Sequence, residues 1–225
     1  MQMMAAATLP VDPTLDEIRG ALAPRLAAHA AFDGWTARAV ESAAGEIGVD
    51  ADVALLSLKG GTMALIDAWI AAVDAEMARR LPPEKLGTMK IRERITALVA
   101  TRLDIMASDR EGLRRAQAIM ASPQNLAAAA RIGWRSADRM WRLAGDTATD
   151  FNHYTKRATL SGVYLSTLLV FVNDESDDLA ETRAFLDRRI DNVMQFEKVK
   201  AQAKSRREMV PSLSRFIGRL RYPPR

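Results

Sequence analysis

The side chains that most often do chemistry are scarce in this chain. Its 225 residues include two histidines, His29 and His153, and no cysteine. A disulfide framework, a thiolate nucleophile and a Cys-bearing zinc site are excluded, and three histidines cannot meet around a metal within one chain. A di-iron carboxylate centre calls for two Glu-x-x-His units, but the residues three places before the histidines are Leu26 and Asp150. Lys59-Gly60-Gly61-Thr62 lacks the spacing of a phosphate-binding loop. No Ser-His-Asp order can be argued from so few histidines. These residues predict no catalytic group, no metal and no cofactor. What they do offer is surface chemistry. Asp150, His153, Tyr154 and Arg157 stand at i, i+3, i+4 and i+7, one face of a helix. From spacing alone that face reads first as a capped, solvated helix surface with a local acid–His contact.

A second chemical feature is the uneven charge. Net charge is +4, yet residues 198–225 hold nine basic groups and one acid, so the other 197 residues sum to −4. The basic end meets an anionic surface; the body does not. Within that end Met209, Val210, Leu213, Phe216, Ile217 and Leu220 form one apolar helical stripe, with Arg206, Arg207, Arg215, Arg219 and Arg221 mainly off it. A short helix of this kind lies in the interface of an anionic bilayer, each cation near the surface contributing about 1 kcal/mol. The other reading is a terminal helix docked on its own domain.

The elements that position these residues read as helices. The chain has 39 Ala and 23 Leu against 12 Gly and 9 Pro, which predicts an all-α fold of about ten helices without strands. Thr14 with Glu17 forms a capping box for a helix through Arg25, which Pro24 kinks or splits. Short helices are predicted from Thr36 to Gly45–Gly48 and over Asp50–Ser57, then a long one over Thr62–Arg80. Beyond Pro82-Pro83 helices are expected over Glu84–Ala107, from an Asp109 cap to Ser122, from Pro123 to Ala144, from Thr149 or Asp150 to Val172, and from Leu179 to about Ala203. Pro211 sits early in a last short helix. No run of 18 apolar residues spans a bilayer, and residues 1–10 lack the pattern of a signal peptide or a mitochondrial transit sequence. A cytoplasmic location, peripheral to the inner membrane, is expected.

Residues Ala39 to Leu65, with small side chains, a Gly turn and a following helix, resemble the amino-terminal helix-turn-helix of TetR-type regulators. A DNA-reading helix needs donors and cations. The segment Asp50–Ser57 has two acids, no Arg, no Lys and no amide, so no specific DNA binding is expected.

A more specific likeness follows. Trp141, Ala144-Gly145-Asp146, Thr149-Asp150-Phe151-Asn152 and Tyr154-Thr155-Lys156-Arg157, with Phe185-Leu186-Asp187-Arg188-Arg189-Ile190-Asp191-Asn192 downstream, resemble the COQ-nine family of ubiquinone-biosynthesis proteins. The resemblance implies a TetR-like helical dimer that has lost DNA binding, holds an isoprenoid lipid or quinone intermediate, meets the membrane through its carboxy-terminal helix, and helps the di-iron demethoxyubiquinone hydroxylase reach its substrate without being an enzyme. It implies a hydroxylase-binding patch of Asp138, Trp141, Asp150, His153 and Tyr154. His153 stands where the family often has Trp, keeping a planar ring but losing apolar area. Trp134, Met140, Trp141, Tyr164, Leu165, Leu168 and Phe171 are candidate lipid-cavity residues, a long apolar space being required; aromatic and Met stripes also build plain core. The expected organisation is a degenerate helix-turn-helix region at 1–81, a lipid-binding and dimerisation body at 82–205, and a membrane tail at 206–225. The competing function is a TetR-type transcription regulator with an apolar effector pocket; an enzyme acting alone is weakest.

Overall fold

Local signals place the first helices. In the computed structural model, which describes residues 9–149 and 151–209 with side chains to residue 195, the Thr14 side chain accepts from Glu17 N and the Glu17 carboxylate answers to Thr14 N at 2.8 Å. This starts α1 (Leu15–Leu22). Pro24 sits in a single 3-10 turn, Ala23–Arg25, that separates α1 from α2 (Leu26–Asp33). The split resolves the choice that Pro24 left open. Gly48, at φ 68°, closes α3 (Ala37–Ile47) in the left-handed conformation that glycine tolerates. Asp50 then caps α4 (Ala51–Ser57) by accepting from the amides of Asp52 and Val53.

The long α5 (Thr62–Arg80) follows, buried on several sides: Ile66, Trp69, Val73 and Met77 are all sealed from solvent. It packs against α7, α8 and α9, and against α2 and its preceding turn. A charged network crosses this core. The Arg102 guanidinium is paired with Asp74 and donates through Nε to the Tyr164 hydroxyl at 3.1 Å. Ser136 Oγ donates to the other Asp74 oxygen at 3.0 Å. Four helices are tied together by these groups, each polar atom satisfied, which is the condition for burying them.

Two expectations need correction. The stretch Glu84–Ala107 is not one helix but two, α6 (Pro83–Gly87) and α7 (Ile91–Met106). The break stands where Glu93 bonds the backbone N–H of Lys90 at 2.8 Å, half of a capping box whose first residue is not a usual cap. Asp109 precedes α8 (Arg110–Met120) but makes no capping bond; burial pushes its carboxyl above the usual range, against a hydrogen bond from Ser108. Helix α9 (Leu126–Leu143) begins after a 3-10 turn at Pro123–Asn125. It is followed by α10 (Phe151–Phe171) and α11 (Ala180–Met209), which runs further than Ala203.

Eleven α-helices and no strand are present among the described residues. The chain divides into two units, Met1–Leu186 and Asp187–Arg225. The helix-turn-helix region and α6–α10 share the first. Among the described residues no single helix is long and apolar enough to cross a membrane.

Candidate functional site

The α9–α10 connection brings the recognised motif residues together. Helix α9 ends at Leu143 with Ala144 as its C-cap, and Gly145 turns the chain at φ 91°. A side chain there would strain the backbone and come within 3.1 Å of Arg94 Nη1. That guanidinium holds the turn from the other side, donating to the Ala144 carbonyl at 2.9 Å and to the Met89 carbonyl at 2.9 Å. The connection is therefore fixed by α7 as well as by its own two helices.

Beneath it lies a braced ion cluster. Arg157 on α10 is buried and donates to Asp138 of α9 at 2.7 Å, to Asp146 at 3.0 Å and to the His153 carbonyl at 3.0 Å. Lys156 reaches Asp146 at 2.7 Å, and Arg142 reaches Asp138 at 2.7 Å. Burial alone would raise the Asp146 pKa, but the hydrogen bonds from Lys156 and Arg157 outweigh it and hold the carboxyl below its ordinary range. Two carboxylates are thus satisfied by three cations.

Above the cluster is an aromatic rim. Trp141 donates from its indole to the Lys156 carbonyl at 3.0 Å, with the Lys156 ammonium 5.4 Å from its ring centre. Tyr154 is 60 % exposed; its ring stands 6.1 Å from Trp134 and edge-on to His153 at 5.2 Å. His153 Nδ1 is 3.0 Å from the Ala148 carbonyl. A carbonyl only accepts, so Nδ1 bears the proton and Nε2 is left as an acceptor in the neutral ring. Arg142, Asp146, Thr147, Ala148, Thr149, His153, Tyr154 and Arg157 line a pocket of about 400 Å³. Its chemistry is that of recognition, with hydroxyls, a ring nitrogen and an aromatic ledge on a rigid base.

The profile of the COQ9 family matches residues 126–197, which contain the ion cluster and the aromatic rim but not the bracing Arg94. The ubiquinone biosynthesis protein COQ9, mitochondrial, of Rattus norvegicus is 35% identical over 179 residues, 76% of this chain and 57% of that protein. The Homo sapiens protein of that name is 33% identical over 76% of this chain and 56% of its own length. The chain is similar to the COQ9 family. It spans little more than half the length of these relatives. The TetR transcriptional regulator from Nitrosomonas europaea, in its crystal structure, matches with a TM-score of 0.61 over 78% of this chain and 97% of that one, at 24% identity. That likeness shows a shared fold, the TetR-like arrangement expected from Ala39 to Leu65.

Within this COQ9-like, TetR-like fold the expected site residues fall unevenly. Asp138, Trp141, His153 and Tyr154 come together at the α9–α10 connection; Asp150 lies outside the described residues. Arg157, placed on the same helix face as Tyr154, is instead the buried centre of the ion cluster. Asp146 and Arg94 had no place among the site residues read from sequence. Asp146 was visible only as a motif letter, and Arg94 gives no local signal because its partners are 50 residues away at Ala144 and across the α6–α7 break. Of the lipid-cavity candidates, Met140, Tyr164, Leu168 and Phe171 are buried, Trp141 is half-buried, and Trp134 and Leu165 are exposed. Met209 ends the described backbone. Val210, Leu213, Arg215, Phe216, Ile217, Arg219 and Leu220 lie outside the described residues.

Proposed function

We propose that this chain acts in ubiquinone biosynthesis as a non-catalytic lipid-binding protein. It takes an isoprenoid or quinone intermediate at an anionic membrane surface, on the cytoplasmic side of the inner membrane, and presents it to the di-iron demethoxyubiquinone hydroxylase. The observation that supports this reading best is the braced α9–α10 connection. An exposed tyrosine and a half-buried indole and imidazole sit on a fixed ionic base, inside the stretch matched by the COQ9 family. Aromatic anchors on a rigid support are what a protein-binding hot spot requires.

The buried Met140, Tyr164, Leu168 and Phe171 are the proposed apolar wall for the lipid. Trp134 and Leu165 complete it where a lipid or a second copy covers them. The proposed homodimer has a candidate face on α10, where exposed Phe151, Ala158, Gly162, Leu165 and Leu169 recur at steps of seven, four, three and four residues. Residues 206–225 provide the membrane contact.

The decisive experiment is a pull-down of the hydroxylase. Tyr154→Ala, or the pair Asp150→Lys and His153→Asp, weakens capture while the helical circular-dichroism signal stays unchanged. Truncating a central aromatic of this kind costs about 2 kcal/mol or more, roughly thirtyfold in affinity. Undiminished capture by both variants reduces the patch to a solvated helix face. Native mass spectrometry of the purified protein tests the cargo: an isoprenoid or quinone mass is expected, and its absence from the intact protein counts against lipid carriage.

A further inference from the structure

Helix α7 keeps one stripe for its neighbours. Ile91, Arg94, Leu98 and Arg102 follow at steps of three, four and four residues, which puts them on one side of a helix. Leu98 is sealed from solvent. Arg94 donates to the Ala144 carbonyl at the end of α9, and Arg102 donates to the Tyr164 hydroxyl of α10. Arg102 also shares Asp74 with Ser136 of α9. Ser136 therefore stands level with Arg102 and Ala144 with Arg94, so α7 runs antiparallel to α9. Ile91 lies about 4.5 Å further along the axis than Arg94, beyond the point where α9 stops. There the stripe comes into the open, and Ile91 is 44 % exposed.

This end of α7 borders the α9–α10 connection. The Arg94 guanidinium holds the Met89 carbonyl at 2.9 Å, the Gly87 carbonyl at 3.3 Å and the Ala144 carbonyl at 2.9 Å. The turn between α6 and α7 and the turn at Gly145 are thus clamped side by side. Around Ile91 the charge is mainly positive. Lys85, Lys90 and Arg92 outnumber Glu84 and Glu93 there, and the Glu93 carboxylate is turned back on the Lys90 amide at 2.8 Å. Lys90 stands four residues before Arg94, on the same side of the helix as Ile91. Across the connection Arg142 and Lys156 face solvent, while Asp146 is sealed beneath Lys156. The complement of such a surface is an apolar side chain with a carboxylate beside it.

We propose that Ile91 and Lys90 form a second half of the partner-binding surface, and that the partner meets them with an apolar side chain flanked by a carboxylate. This contact rests on the reading that a protein partner covers the α9–α10 connection. It adds a different helix, outside residues 126–197. A partner seated on Tyr154 and Trp141 alone leaves Ile91 in water. One that spans the Gly145 turn buries it, and gains an anchor on a helix end that Arg94 already fixes.

The local fold supplies substitutions that separate binding from stability. Lys90 is the N-cap of α7 and Ile91 its first residue. Serine is a preferred cap, and a carboxylate in the first turn is favoured by the helix dipole. Lys90→Ser and Ile91→Asp should therefore hold or raise the Tm. Capture of the purified hydroxylase is compared for the parent, these two variants, Tyr154→Ala and Phe32→Ser. Phe32 is 86 % exposed on α2, which packs against Ala107–Asp109 at the far end of α7. Ile91→Asp is expected to weaken capture about tenfold or more. Lys90→Ser weakens it less and flattens its salt dependence, and Phe32→Ser binds as the parent does. Parental capture by both α7 variants, with Tyr154→Ala weakened, overturns the α7 contact and leaves the α9–α10 reading standing. An equal loss in Phe32→Ser overturns it as well, since any exposed apolar residue would then serve. Loss in Ile91→Asp with Tyr154→Ala unaffected supports the α7 contact and counts against the connection. If the parent itself captures nothing, the partner reading falls and the α7 contact falls with it.

Discussion

Arg157 is the residue on which the candidate site stands. It satisfies Asp138, Asp146 and a backbone carbonyl from a position without solvent access. Removing one member of a buried ionic cluster leaves charges uncompensated, at a cost of about 3–5 kcal/mol. Arg157→Met is therefore expected to lower stability by that order in urea denaturation, and the same substitution made together with Asp138→Asn and Asp146→Asn to recover part of the loss. An additive triple variant would refute the cluster. Glu76 offers a test through pH. Hydrogen bonds from Arg79, and then Arg80, outweigh burial and bring its pKa from 4.5 to about 2. A carboxylate with a depressed folded-state pKa stabilises above its unfolded value, and that contribution fades as pH falls through the folded one. The gap in Tm between the parent and Glu76→Gln should be full at neutral pH and narrow steadily below about pH 4.5. A gap that stays constant through that window contradicts the ion-pair assignment. Neither the Arg157 cluster nor the Arg102 network was readable in the sequence, whereas Glu76 meets Arg79 and Arg80 at three and four residues. Arg157 lies 19 residues from Asp138, and Arg102 lies 62 from Tyr164; periodicity reports which side a residue faces, not which distant charge it meets.

At the scale of elements the sequence was far more legible, because the signals are local. The Thr14–Glu17 box, the Pro24 break and the Gly48 stop each act within four residues, and each appears in the structure where the chain implied it; Asp50, expected as the first residue of its helix, is its cap. The α6–α7 break was missed because Lys90 is not a capping residue by type and only Glu93 announces it. Helix-to-helix spacing was also hidden. At Gly112 a Cβ would lie 2.2 Å from the Ala27 carbonyl oxygen, so α8 and α2 touch backbone to backbone. Trp35 seals the contact, donating to the Gly112 carbonyl at 3.0 Å. Gly112→Ala must push the helices apart, and overpacking of this sort costs about 1–3 kcal/mol. A clear fall in Tm is expected, where a glycine-to-alanine change in an open helix normally stabilises. Gly133, with no neighbour near its Cβ position, is the control: Gly133→Ala should hold or raise the Tm.

For the whole molecule, the helix-turn-helix keeps its packing while its second helix carries two acids and no Arg, Lys or amide. Core residues such as Ala39, Val40, Ala43 and Ala44 still seat α3, and α4 still caps and folds, yet nothing on its outer side fits a phosphate. Fold and task have parted, which is why the composition of α4 spoke against DNA binding while its helical pattern spoke for the TetR-like arrangement. The α9–α10 connection shows the reverse: an unremarkable helical hairpin made specific by a few paired charges and rings.

The four tryptophans divide along the same line. Trp35 and Trp69 are sealed in the core with ring centres 5.5 Å apart, while Trp134 and Trp141 stand at the α9–α10 rim. The native protein thus contains two optical populations that need no label. Acrylamide should quench the red-emitting rim pair and leave the blue-emitting core pair nearly dark to it. A partner seated on Tyr154 and Trp141 should abolish the quenchable fraction without shifting the core emission, whereas unfolding moves both. One fluorescence titration therefore separates a chain whose site is covered from a chain that has come apart.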